Sequence, residues 1–259
     1  MAEQMVERLH DIKRNFPRAL DLFCGKAHVL RALQRHENGA TKIGRLYQTD
    51  VHEVVVEAAR SHADGLIAAE EDAFTFREGG ELKVEDSSLD AVISAGGLHW
   101  VNDLVGVVRT ACSKLKGDGV FLGVLLGGET LHELRASLQQ AEDELLCRAV
   151  ARTSPTVHVR DAARLLAAAR LALPAADVER VVVSYRDMWS VMQHVRAMGE
   201  GNALVGRHHW AGRALFERAA AIYAERFGSA DGDGVDATFD LIYVIGWKAH
   251  GSQLQSLSS

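Results

Sequence analysis

The sequence predicts an α/β protein built on one doubly wound sheet, and three observations predict it. First, the apolar run Ala19-Leu20-Asp21-Leu22 carries a carboxylate near its end. It turns through Phe23-Cys24-Gly25-Lys26-Ala27-His28 and restarts as the periodic segment Val29 to Arg35, the pattern of strand, tight loop and helix. Second, short apolar runs alternate with amphipathic segments as far as Leu126, as parallel strands with crossover helices require. Third, acids close the first three apolar runs, at Asp21, Asp50 and Glu70-Glu71-Asp72. In a parallel sheet all three fall on the carboxyl edge, where open α/β sheets take ligands.

In order, Met5, Val6, Leu9 and Ile12 recur at helical spacing ahead of Asn15 and Pro17, which end a lead-in helix. After the first strand, loop and helix, Gly39 to Thr41 reads as a loop, Ile43 to Thr49 as the second strand and Val54 to Ala63 as a helix. Leu66 to Ala69 reads as a short third strand. Arg77 to Ser88 is polar and contains Gly79-Gly80, an exposed loop. Leu89 to Ala95 is the fourth strand, Leu104 to Leu115 an amphipathic helix, and Lys116 to Gly119 a turn. Val120 to Leu126 is a continuously apolar fifth strand of the kind buried on both faces. Thr130 to Val150, Asp161 to Ala172, Met188 to Met198 and Ala211 to Phe227 read as helices, Val178 to Tyr185 and Ala237 to Trp247 as the last two strands. The expectation is a single domain over residues 1–259 with a helical lid inserted at about 128–235. Seven strands in a mixed sheet, helices on both faces and a last strand returning beside the fifth make the Rossmann-like class I methyltransferase architecture.

Composition narrows the partners. At 47% hydrophobic, 259 residues can bury a sizeable core. A net charge of −6 offers no general attraction for nucleic acid or anionic lipid, so no nucleic-acid partner is expected. Cys24, Cys112 and Cys147 are an odd number without Cys-x-x-Cys spacing, which supports reduced thiols rather than disulfides or a zinc site. His208-His209 are adjacent and point apart on a helix, a poor chelating pair, so no metal is expected. The first residues carry charges of both signs and read as neither signal nor transit peptide.

The first loop suggests the ligand. With Asp21 as the leading acid, the frame Asp-x-Gly-x-Gly-x-Gly of S-adenosylmethionine (SAM) sites puts its glycines at positions 23, 25 and 27. Here those positions are Phe23, Gly25 and Ala27. Unpaired N–H groups at a helix start and a residue without Cβ let a ligand approach the main chain. Asp50, followed by Val51, is placed to accept both hydroxyls of a ribose, or else to cap the following helix. Glu70 and Glu71 are placed to receive an adenine amino group, or else form a solvated acidic loop. Gly96 and Gly97 allow close approach to the cofactor's reacting end, with His99 as base or orienter and Trp100 as pocket wall. Methyl transfer needs mainly an in-line approach, so no nucleophile triad is required.

Several blocks resemble one family. They are Leu98-His99-Trp100-Val101-Asn102-Asp103-Leu104, Gly119 to Gly123, Gly127-Gly128-Glu129-Thr130-Leu131-His132-Glu133-Leu134-Arg135, Arg196 to Asn202, and Ala237-Thr238-Phe239 through Ile245-Gly246-Trp247-Lys248. Together they resemble the mitochondrial respiratory complex I assembly factor five family and, more distantly, the methyltransferase of early biotin synthesis. The resemblance implies a class I SAM-dependent methyltransferase fold on the matrix side of mitochondria. It also implies a role in complex I assembly and hydroxylation of an arginine in a complex I subunit rather than plain methylation. It leaves a peripheral membrane contact and the oligomeric state open. It implies cofactor acids at Asp21, Asp50 and Glu70. Relatives read Gly-Cys-Gly-Arg-Gly where this chain has Phe23 to Ala27, and carry a longer N-terminal region. Two alternatives stand beside it: a catalytically silent assembly module with a degraded SAM site, and a small-molecule carboxyl methyltransferase like the biotin relative.

Overall fold

The computed structural model describes residues 1–147, 152, 156–204, 212–230 and 232–250. The His208-His209 pair, Ala211 and Val150 lie outside them. The chain opens with helix α1 (Ala2–Asp11), whose Met5, Val6 and Leu9 are buried. Strand β1 (Phe16–Leu22) leads to α2 (His28–Arg35), then the short α3 (Gly39–Lys42) and β2 (Ile43–Asp50). Helix α4 (Glu53–Arg60) precedes β3 (Ala73–Thr75), and β4 (Leu89–Ala95) precedes α5 (Leu104–Ser113) and β5 (Leu115–Leu126). The remainder is α6 (His132–Leu146), α7 (Val159–Ala168), β6 (Leu171–Tyr185), α8 (Met188–Met198), α9 (Arg213–Phe227) and β7 (Val235–Lys248).

The seven strands form one sheet in the order β3-β2-β1-β4-β5-β7-β6, so the last strand lies beside the fifth as expected. β1 pairs in parallel with β2 and β4, β2 with β3, and β4 with β5. The order reverses at β1, which makes the carboxyl ends of β1 and β4 the switch point where such sheets bind ligands. Phe16, Leu20, Leu22, Leu30, Leu33, Ile43, Leu46 and Phe121 are fully buried at the core.

The third strand corrects the sequence reading. Leu66 to Ala69 is not a strand, because Asp64 Oδ1 accepts the N–H groups of Leu66, Ile67 and Ala68 at 3.0, 2.9 and 3.2 Å. Those donors are therefore closed into a local turn instead of a ladder. Glu70, Glu71 and Asp72 form a 3₁₀ turn before β3 rather than ending it. Buried Asp72 takes two hydrogen bonds from Arg45 of β2, at 2.8 and 2.6 Å. Elsewhere the expected turn at Lys116 to Gly119 is a bulge inside β5, since Leu89 pairs with Leu115 but Ala91 with Val120. The sixth strand begins at Leu171, seven positions before the expected Val178.

Contacts divide the chain into two compact units. The first comprises Met1–Leu125, His158–Val178 and Leu241–Ser259, and the second Leu126–Val157 and Glu179–Asp240. Residues 158–178 lie within the range 128–235 read as an insertion and fall in the first unit. Within it, Leu138, Met188, Val191, Leu215, Ile222 and Tyr223 make one apolar cluster. Arg180 holds Asp240 through two hydrogen bonds of 2.8 and 3.1 Å.

Candidate functional site

The loop after β1 keeps its backbone where its side chains have changed. Phe23, Gly25 and Ala27 all adopt left-handed conformations, with φ of 61°, 55° and 55°. These are the three glycine positions of the frame read from the sequence. An L-residue held there costs roughly 1–2 kcal/mol, so the loop retains a glycine conformation at two positions that no longer have the residue suited to it. Ala27 is fully buried and stands as the N-cap of α2.

Two carboxylates converge on this loop. Asp21, one residue before the end of β1, is completely buried. Among the described residues no well-formed hydrogen bond reaches either oxygen, although the side-chain amide of Gln48, its register neighbour on β2, lies near enough to offset part of the upward shift. Burial, and secondarily the nearby Asp50 charge, push the Asp21 carboxyl up to about 8. Asp50, at the tip of β2, is partly exposed. Its Oδ2 accepts the Gly25 N–H at 3.1 Å and its Oδ1 the Val51 N–H at 2.8 Å. It does not cap α4, whose N-cap is His52. Cys24 between them is buried, and its thiol is pushed far above its ordinary range by burial and by both carboxylates.

Across the switch point, Gly96 follows β4 with φ 90° and Gly97 packs directly on Phe23. A Cβ at Gly97 would fall 2.3 Å from the Phe23 Cβ. The Phe23 ring also stacks on Phe76, centroids 6.1 Å apart, just beyond the end of β3. His99 and Trp100 lie in the 3₁₀ turn Leu98–Trp100, rings 5.8 Å apart, with His99 half-buried and Trp100 exposed. Glu78 holds the next turn by accepting the N–H groups of Asn102 and Asp103 at 3.2 and 2.6 Å.

Asp21, Phe23, Gly25, Ala27, Asp50 and Val51 are thus brought together, with Gly97 against Phe23. Glu70 and Glu71 are not at this rim. Their turn sits where β3 begins, and Ala73 is already level with Gln48, so the place beside Asp50 is taken by Thr75. Among the described residues no group of His, Cys, Asp and Glu could hold a metal ion, and no helix is long and apolar enough to cross a membrane. Glu78 was missed in the sequence, where nothing local marks it. His28 and Arg31 were also passed over, although their spacing of three on a helix puts both on one face.

Comparison with known proteins fits this geometry. The methyltransferase domain profile matches residues 20–123, which span the loop and both tips. The arginine-hydroxylase NDUFAF5, mitochondrial, of Danio rerio is 36% identical over 255 residues, covering 98% of this chain and 75% of the relative. The chain belongs to the NDUFAF5 family. A malonyl-(acyl-carrier protein) O-methyltransferase of Methylovorus is 30% identical, over 95% of this chain and 80% of that protein. Among solved structures, the YcgJ protein of Bacillus subtilis superposes with a TM-score of 0.63 at 15% identity, covering 97% of this chain and all of that one. That likeness carries the class I methyltransferase fold, which this NDUFAF5 family member shares. The Rossmann-like sheet, its switch point and the loop after β1 are therefore those of a methyltransferase-fold protein.

Proposed function

We propose that this NDUFAF5 family member binds SAM at the rim formed by the loop after β1 and the tip of β2, and hydroxylates an arginine side chain of a complex I subunit in mitochondria. The observation that carries the cofactor half is the triple left-handed backbone at Phe23, Gly25 and Ala27 beside the Asp50 carboxylate. That frame and donor set fit an adenosyl group. Asp50 would hold the ribose hydroxyls through its remaining lone pairs, and Asp21 is a buried acceptor with no well-formed hydrogen bond among the described residues. Bound SAM would supply an electrophilic methyl group, which adds no oxygen. The hydroxylation therefore also needs an oxygen-atom donor that acts as the two-electron oxidant, such as molecular oxygen with a reductant. The relatives' name supports hydroxylation of arginine and a mitochondrial location. Glu70 and Glu71 are left out of this site because their turn lies at the other end of β3. His99 and Trp100 remain the candidates nearest the reacting end.

Phe23 is the observation that favours a second reading. Its side chain fills space against Gly97 that a glycine would leave open, so binding is weakened relative to relatives with the full frame. In the extreme the chain is a silent assembly module. Expression in cells lacking the endogenous family member separates the readings. Peptide mass spectrometry of the complex I subunit should show one added oxygen on arginine, lost with Asp50→Asn. Complex I assembly with that arginine unmodified would replace the enzyme by the silent module. Methyl ester formation on a malonyl carrier substrate would instead favour the small-molecule methyltransferase.

A further inference from the structure

A cleft of about 210 Å³ opens between the start of α1 and one face of α2, lined by Met1, Ala2, Glu3, His28, Arg31 and Arg35 among others. We infer that this cleft is an oxyanion site, taking a carboxylate or phosphate group on Arg31 with His28 as second donor. The inference deepens the cofactor reading by one end of the ligand, but it stands on its own geometry. Arg35 is already committed, bonding Glu3 at 3.1 Å. The Arg31 guanidinium makes no hydrogen bond or ion pair among the described residues, and the residue is partly buried in the cleft. Its charge therefore faces the cavity uncompensated, the situation in which an anion gains most.

The cleft adjoins the rim. A Cβ at Gly25 would meet the His28 ring at 3.2 Å, and one at Gly96 would meet the Met1 sulfur at 3.5 Å. A ligand gripped at Asp50 could therefore extend an acidic group toward Arg31. The groups facing His28 are Arg31 and Arg35 on its own helix, Lys26 in the loop, and Glu3 with the amino terminus on α1. Burial first, then Arg31, Lys26 and the amino terminus, lower the His28 pKa. A bound oxyanion reverses that balance and raises it.

The test is an NMR titration of the His28 imidazole in the full chain, with and without inorganic phosphate. Phosphate is expected to raise the His28 pKa saturably, and Arg31→Ala to weaken the response about tenfold or more. Arg31→Lys should restore part of it. The phosphate response is read without SAM present, so that failure of the cofactor reading does not mimic failure of this one. Two further arms identify the source of the group. If SAM displaces phosphate while 5′-methylthioadenosine, which lacks a carboxylate, does not, the cleft takes the cofactor's own carboxylate. If SAM and phosphate bind together, the group belongs to the substrate. A response that does not saturate, or that is equal in Arg31→Ala, is salt screening and overturns the site.

Discussion

At the scale of single residues, Phe23 and Gly97 are one unit. A methyl group at Gly97 has nowhere to go while Phe23 is present, since it would lie 2.3 Å from that residue's Cβ. Gly97→Ala should therefore cost about 1–3 kcal/mol, as overpacking does. The penalty should largely vanish in a Phe23→Gly background. Urea denaturation of the four proteins of that cycle checks this, and equal penalties in both backgrounds would show that the two sites are not coupled. Asp21 makes a pH-dependent prediction. Its carboxyl titrates at about 8 when folded, against an ordinary 3.8. Between those values the folded chain keeps a proton that the unfolded chain gives up, so its contribution to stability falls as pH rises through the window. Asp21→Asn removes the titrating group, so its melting temperature should exceed that of the parent more at pH 8 than at pH 4. A gain independent of pH would mean that Asp21 is not held protonated. The Asp-x-x-x-Gly spacing was legible in the sequence. The pairing of Phe23 with Gly97 was not, because it joins residues 74 positions apart that meet only after β1 and β4 pair.

At the scale of elements, apolar strands and amphipathic helices were legible because each is patterned within its own window. The misreadings fall where a side chain closes the backbone locally. Asp64 captures three N–H groups that a strand at Leu66 to Ala69 would have needed. This moved the third strand, and with it Glu70 and Glu71, away from the rim. The turn after β4 is fixed by caps from two sides. Asp103 Oδ1 accepts the Gly106 N–H at 2.8 Å at the start of α5, while Glu78 accepts the N–H of Asp103 itself. Removing the cap with Asp103→Ala should destabilise the chain by about 1 kcal/mol. Chemical denaturation measures this, and no change would mean that α5 does not depend on its cap.

At the scale of the whole molecule, the seven strands and the place of the final one beside the fifth were legible, since β7 is long and apolar at the end of the chain, whereas the full strand order was not read. The division into units was not read from the sequence, because α7 and the first half of β6 fall in the first unit with no change of composition to mark it. Thiol reactivity reads out the folded state directly. Cys24 and Cys112 are buried and Cys147 exposed, and burial pushes the Cys112 thiol up to about 12. A thiol reagent should therefore label one cysteine quickly in the native chain and three after unfolding. Fast labelling of all three under native conditions would contradict the packed first unit.

The most direct measurement is calorimetric titration of SAM into the parent, Phe23→Gly, and Phe23→Gly combined with Asp50→Asn. Phe23→Gly should bind more tightly than the parent, although the lost ring costs stability. Adding Asp50→Asn should weaken that binding about tenfold, the worth of one charged hydrogen bond in ribose recognition. If Phe23→Gly folds and binds no SAM, or if Asp50→Asn leaves its affinity untouched, the loop after β1 and the tip of β2 do not form the cofactor site.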